Sequence, residues 1–284
     1  MHLLDEMVGR IENWDGLDGV TEKVSATVAR VTHRPPVSSA LSGTWLGHPL
    51  HPVLTDLPIG CWTSAFMLDL VGGKTGRRAA RSFVGLGVAT AIPTVMTGLS
   101  DWADTVGGTR RIGTAHALIN TTGLGCYVLS WRARRRGHHL RGVALGMLGA
   151  TVVTVGAHLG GHLVYRTGTG IDVNVLDPGP SDWTSPARAP VPLDGGAGAY
   201  LDTGAGGVLA TRHDGTWHGI GARCSHRGGP LHEGTFDGDC VECPWHHSRF
   251  RLDDGSIVNG PATAPQPRYE VRERDDVMAV RAAR

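Results

Sequence analysis

The chain has 284 residues, 27 basic against 26 acidic side chains for a formal net charge of +1, and 40% hydrophobic residues. That length allows more than one domain, and the even charge balance excludes the concentrated basic surface that nucleic-acid binding needs. No Gly-rich phosphate loop, dinucleotide fingerprint or nucleophile elbow is present, so there is no visible site for nicotinamide, flavin or ATP. Residues 1–45 read as an amphipathic helical segment: Leu4, Met7, Ile11, Trp14 and Leu17, then Val20, Val24, Val28 and Val31, recur every three to four positions. Such a helix suits a membrane interface or a partner surface, and both readings stay open. The first residues lack a basic run followed by an apolar core, so no cleavable signal peptide is expected. His2 and His33 stand alone and read as ordinary solvated side chains.

Four apolar segments of helical length follow within residues 46–166: Val53 to Gly72, Ser82 to Leu99, Ile112 to Trp131, and Val143 to Gly160. About 20 residues is what a bilayer core of roughly 30 Å requires, and their Gly and Ala content suits close contacts between membrane helices. Asp56, Asp69 and Pro93 interrupt them, and a mean hydropathy of −0.10 for the whole chain keeps a soluble four-helix bundle as the alternative. Charge favours the membrane. The first connection carries Lys74, Arg77, Arg78 and Arg81, and the third carries Arg132, Arg134, Arg135, Arg136 and Arg141. The second balances Asp101 and Asp104 against Arg110 and Arg111. The positive-inside pattern then predicts a multi-pass protein of the cell membrane with its first and third connections in the cytoplasm. The N-terminus and the C-terminal part would both be extracytoplasmic.

The first span is preceded by Gly47-His48-Pro49-Leu50-His51-Pro52 and carries Leu54-Thr55-Asp56-Leu57-Pro58-Ile59-Gly60. Over about residues 45 to 165 the chain resembles a family of uncharacterised four-helix membrane domains that open with a GHPLHP-type motif, a resemblance that implies no activity. Alternating span direction places His48, His51, Asp101, His116, His158 and His162 at one membrane face, and His158 and His162 share a helix side. Ionisable groups within spans are functional candidates, and paired helix-borne imidazoles can ligate haem in a bundle core. These residues are therefore a candidate site for haem b or a quinone. The alternative is that the rings anchor helices by bonding to backbone. Cys61 and Cys126 fall inside spans, where a thiol behaves as a small hydrophobe.

Residues 167–189 are rich in Gly, Pro, Asp and Ser and read as a linker. Beyond them, Cys224-Ser225-His226 and Cys243-Pro244-Trp245-His246 form a C-x-H and a C-x2-H pair separated by sixteen residues. Arg227-Gly228-Gly229-Pro230-Leu231 follows the first pair, Ser248-Arg249-Phe250 the second, and Gly260-Pro261-Ala262 comes later. Residues 190–284 resemble the Rieske ferredoxin family. The resemblance implies an all-β domain with two ligand loops, Cys224 and Cys243 on one iron of a [2Fe-2S] cluster, His226 and His246 on the other, and Ser248 tuning the cluster by hydrogen bonding. Zinc is the competing reading, because Cys240 lies three residues before Cys243 and could join Cys243, His246 and either His226 or Cys224.

Departures within the family sharpen the expectation. The quinol-oxidising subtype has an extra Cys in each ligand loop, where this chain has Gly229 and Trp245, and a Tyr where this chain has Phe250. Fewer hydrogen bonds to cluster sulfur imply an intermediate or low potential. No His follows His247, so the mononuclear iron site of Rieske oxygenases cannot be built after the cluster domain.

The expected protein is an α + β multidomain chain, a four-helix transmembrane bundle followed by an all-β Rieske domain. It would act as a membrane-anchored one-electron carrier rather than a complete enzyme, with a redox protein or quinone as donor and acceptor and membrane lipid as its surroundings. The alternatives are an electron-transfer subunit of a quinol or haem-linked oxidoreductase, and a non-redox zinc module on a membrane scaffold.

Overall fold

The computed structural model describes residues 2–193, 198–204, 206–213, 215–275 and 277–283. It divides into two compact units, Met1–Arg30 with Leu50–Thr169, and Val31–Pro49 with Gly170–Arg284. The second unit therefore draws on the N-terminal region as well as the C-terminal one.

The first unit is helical. After α1 (His2–Glu12) and α2 (Asp18–Thr32), which runs to the unit boundary, come the long helices α4 (Leu50–Val71), α5 (Gly73–Ala103), α6 (Gly107–Arg135) and α7 (His139–Tyr165); α3 (Pro35–Ser42) belongs to the second unit. The four apolar segments fall within α4 to α7, except that Gly72 lies between α4 and α5. The helices run further than expected, because the basic residues assigned to connections are good helix formers and extend α5 and α6. The α4–α5 connection shrinks to Gly72, where a Cβ would lie 2.5 Å from the Leu68 carbonyl oxygen and 2.8 Å from the Gly76 Cα.

Small residues let the helices approach closely. Ala65, Ala80, Val84 and Ala91 are buried around Trp62, whose ring stacks on Tyr127 at 3.8 Å between centroids. Pro58 has no N–H to give the Leu54 carbonyl, and the Thr94 hydroxyl of α5 donates to that carbonyl instead at 3.1 Å. Asp69 and Arg134 form a two-pronged ion pair at 2.8 and 2.5 Å, their side chains only 6% and 3% exposed. Outward faces carry large apolar side chains such as Leu57, Phe66, Leu86, Ile92, Leu118 and Met147. Two helices, Gly73–Ala103 and His139–Tyr165, are long and apolar enough to cross a membrane by length and mean hydropathy. The N-terminal amphipathic pattern resolves into α1 and α2. Val8 of α1 is buried with Ile112 and Leu159, and Asp18 of α2 accepts two hydrogen bonds from Arg111. Leu4 and Leu17 lie outside the described side chains.

The second unit is built on antiparallel strands. A six-stranded sheet has the order β1-β2-β3-β4-β9-β10, from β1 (Val191–Pro192), β2 (Gly198–Leu201), β3 (Val208–His213), β4 (Thr216–Gly221), β9 (Arg268–Arg274) and β10 (Val277–Ala282). A four-stranded sheet has the order β5-β6-β7-β8, from β5 (Thr235–Asp237), β6 (Cys240–Glu242), β7 (Arg249–Arg251) and β8 (Ile257–Asn259). Alternation along β3 feeds two cores. Leu209 joins Ile220, Leu231, Val241, Phe250 and the two candidate ligand cysteines, while Val208 and Ala210 join Leu201, Met278 and Val280.

Residues expected to be a linker are folded onto this unit. Thr184 and Val280 exchange both backbone hydrogen bonds at 2.9 Å, Ala282 N–H donates to the Pro180 carbonyl, and the Trp183 ring lies under the Arg272 and Arg281 guanidiniums. Composition suggested freedom here, but the open edge of β10 takes the chain as a partner. The segment 31–49, most of it expected to belong to the N-terminal amphipathic helices, carries α3, which contacts β8, and a one-turn helix at Thr44–Leu46.

Candidate metal centre

Three loops build the site. The first joins β4 to β5, the second joins β6 to β7, and the third joins β8 to β9. The first two have the same backbone design. In the first, Cys224 N–H donates to the Gly229 carbonyl at 2.9 Å and Gly228 N–H to the Cys224 carbonyl at 2.7 Å. In the second, Cys243 N–H donates to the Ser248 carbonyl at 2.8 Å and His247 N–H to the Cys243 carbonyl at 3.1 Å. Each loop turns at its fifth residue through a left-handed conformation, Gly228 with φ 74° and His247 with φ 63°. A non-glycine residue there stores strain and is characteristic of functional sites.

Both thiols are 1% exposed. Each sulfur faces the N–H groups two and three residues ahead, His226 and Arg227 for Cys224, Trp245 and His246 for Cys243. Lying together, the thiols share one hydrogen bond, which with the N–H groups of Trp245 and His246 draws Cys243 down to about 7. The same shared bond, with burial, pushes Cys224 up. Ionising both needs a cationic partner. The two imidazoles, His226 and His246, lie 5.1 Å apart between centroids and at 89°, beside the exposed Trp245.

The two ligand loops pack closely at Gly229. A Cβ there would sit 2.7 Å from Cys243 Sγ and 3.2 Å from the Trp245 ring. Two soft thiolates and two imidazoles in twin loops fit a two-metal cluster held by two protein ligands per metal. A mononuclear zinc site asks for at least three ligands on one metal, of which Cys240 would be one. Cys240 is drawn away from that role. It alternates with the core residue Val241 on β6 and bonds to the Arg249 side chain.

The third loop ties the other two together. The buried Gln266 amide nitrogen donates to the Arg223 carbonyl at 2.8 Å and its oxygen accepts from Ser225 N–H at 2.8 Å, the orientation that satisfies both atoms. The Ser225 hydroxyl donates to the Ala264 carbonyl at 2.6 Å. Ser248, 0% exposed, accepts at its oxygen from Ala262 N–H at 3.0 Å, leaving its own proton available to a neighbouring acceptor.

Sequence reasoning missed several of these parts. His33, read as an ordinary solvated residue, lies edge-on to His246 and His247 at 6.0 and 6.1 Å. Ser39 and Thr44 bond to the third loop. No local pattern marks them, because their partners are some 220 residues away in the chain.

Of the residues expected to share one membrane face, those in the first unit, His51, Asp101, His116, His158 and His162, do not form a metal-holding group among the described residues. His51 Nδ1 bonds to the Thr94 carbonyl at 2.9 Å, and His116 Nδ1 to the Gly156 carbonyl at 2.9 Å. Both rings are placed as helix anchors. His48 is exposed, with Nδ1 near the Pro49 carbonyl, and His158 is exposed as well. Asp101 and His162 are half-buried. Nothing in this arrangement supports haem or a quinone.

The human protein named Apoptosis-inducing factor 3 is 30% identical over 108 residues, 38% of this chain and 18% of its own. Ferredoxin CarAc of Metapseudomonas resinovorans is 37% identical over 57 residues, 20% of this chain and 53% of its own. The chain thus spans less than two thirds of either relative. Among solved structures, the ferredoxin of carbazole 1,9a-dioxygenase from Nocardioides aromaticivorans IC177 is 25% identical with a TM-score of 0.29, covering 34% of this chain and 100% of its own. Residues 47–173 match the family described as "Predicted membrane protein (DUF2231)", and residues 196–270 match the Rieske [2Fe-2S] domain. The chain is a fusion of a DUF2231 predicted membrane protein domain with a Rieske [2Fe-2S] domain.

Proposed function

We propose that the protein is a membrane-anchored one-electron carrier, with Cys224 and Cys243 holding one iron of a [2Fe-2S] cluster and His226 and His246 the other. The observation that carries this reading is the pair of equivalent loops, each presenting one buried sulfur to two backbone N–H groups. When bound, such a cluster takes up and releases single electrons, and its imidazole ligation raises the potential above that of an all-thiolate cluster. The protein's part is electrostatic and steric. The N–H groups stabilise negative charge on the sulfurs, and the buried core of Leu231, Val241 and Phe250 excludes water on the cysteine side. Ser248 directs its hydroxyl proton from a site closed to solvent. His226 and His246 form the less buried edge, where electrons enter and leave.

The potential is intermediate to low. Gly229 and Trp245 rule out a disulfide between the loops, and Phe250 supplies no hydroxyl. A redox protein is the partner that the ferredoxin name of one relative favours, with a quinone as the alternative. Four spans, α4 to α7, anchor the carrier in the cell membrane. Apolar outward faces and small interior residues support this, and the basic ends of the helices favour a Rieske domain outside the cytoplasm. A redox titration of the detergent-solubilised chain, followed by electron paramagnetic resonance, tests the reading. A one-electron signal with a midpoint below that of the quinol-oxidising subtype is expected, and a midpoint at the top of the Rieske range contradicts the assignment of potential.

A further inference from the structure

The segment between α2 and α4 reaches the cluster site within the second unit. Gly43, with φ 88°, ends α3 and turns the chain so that the Thr44 hydroxyl donates to the Ala262 carbonyl at 2.8 Å. Ser42 Oγ lies 3.0 Å from Thr44 Oγ1. One turn earlier, Ser39 Oγ accepts from Gly260 N–H at 3.0 Å and donates to Asn259 Oδ1 at 2.9 Å. The packing is tight, since a Cβ at Gly260 would fall 2.2 Å from Thr44 Oγ1.

Ala262 is thereby pinned at both ends. Its carbonyl is held by Thr44, and its N–H is held by the Ser248 hydroxyl oxygen at 3.0 Å. Ser248 is fully buried, so no solvent competes for its proton. With one lone pair of that hydroxyl taken by Ala262 N–H, the directions open to its proton are narrowed. His33 touches the second loop from the same segment.

We propose that residues 33–46 are a strap that tunes the cluster from a distance, with Thr44 as the positioning residue that orients the Ser248 hydroxyl through Ala262. The inference rests on the Rieske reading above. Loosening Thr44 frees the third loop, weakens the hydrogen bond that Ser248 gives to cluster sulfur, and stabilises the reduced form less, so the potential falls.

The experiment is a redox titration, with the resonance spectrum of the reduced state, on the full-length chain and on Thr44→Val, Thr44→Ser, Ser248→Ala and the double variant Thr44→Val/Ser248→Ala. Thr44→Val is expected to lower the potential, in the same direction as Ser248→Ala and by less, while Thr44→Ser stays near the parent. The double variant is expected to match Ser248→Ala alone, because the effect of Thr44 passes through Ser248. An unchanged potential in Thr44→Val overturns the inference, and so does a shift that persists undiminished in the Ser248→Ala background. If Thr44→Val does not load a cluster, Ser39→Ala is compared in the same two backgrounds, where a downward shift absent from the Ser248→Ala background supports the strap and no shift overturns it. A parent chain without a cluster overturns the Rieske reading and the strap together, whereas a loaded cluster indifferent to Thr44 and Ser39 overturns the strap alone.

Discussion

Gly229 faces the Cys243 sulfur so closely that a methyl group there would lie 2.7 Å from it, against a buried sulfur rather than a flexible side-chain end. Gly229→Ala is therefore expected to displace the second loop and reduce, without abolishing, cluster loading while the β fold persists, which iron content together with circular dichroism would check. Phe250 is fully buried beside the cysteines. Adding a hydroxyl by Phe250→Tyr is expected to raise the midpoint potential, since one further hydrogen bond of about 1.4 kcal/mol to the reduced cluster corresponds to roughly 60 mV for one electron. An unshifted or lowered midpoint in that variant would refute the role given to Phe250. At this scale the four candidate ligands were legible because each loop holds its Cys and His within two or three residues. Thr44 was not, because its partner Ala262 lies 218 residues away. The left-handed turn at His247 was hidden for another reason: a non-glycine residue gives no sign of positive φ in a sequence.

Among the helices, the apolar runs located all four long elements, yet their ends were misjudged. Basic side chains that read as connections continue α5 and α6 by a turn or more, because Lys and Arg favour helix as much as they favour the cytoplasmic face. Asp69, an apparent interruption of the first span, is half of a buried ion pair with Arg134. Removing one partner strands a charge, so Asp69→Ala is expected to destabilise the bundle by about 3–5 kcal/mol. The paired replacement Asp69→Leu/Arg134→Met is expected to restore most of that loss. Thermal unfolding in one detergent would compare the three chains, and equal midpoints for the single and paired variants would show that the ion pair is not what Asp69 contributes. The segment 167–189 was misread for a related reason. Its Gly and Pro content reports backbone freedom in the unfolded chain, whereas the edge of β10 determines where it docks.

Over the whole molecule, division into an α part and an all-β part was readable from the apolar segments and from the Rieske resemblance, but the contribution of residues 31–49 to the cluster unit was not. The charge asymmetry between helix ends leads to a sidedness prediction: a protease added to intact cells cleaves the Rieske domain and leaves the basic α4–α5 and α6–α7 junctions protected. Cleavage confined to those junctions would place the carrier in the cytoplasm instead. The most direct test of the account is the oxidised-minus-reduced optical spectrum of the purified full-length chain, read together with its iron, acid-labile sulfide and zinc content. The account predicts broad visible bleaching on reduction with about two irons and two sulfides per chain. A colourless protein carrying one zinc after growth with ample iron would contradict it.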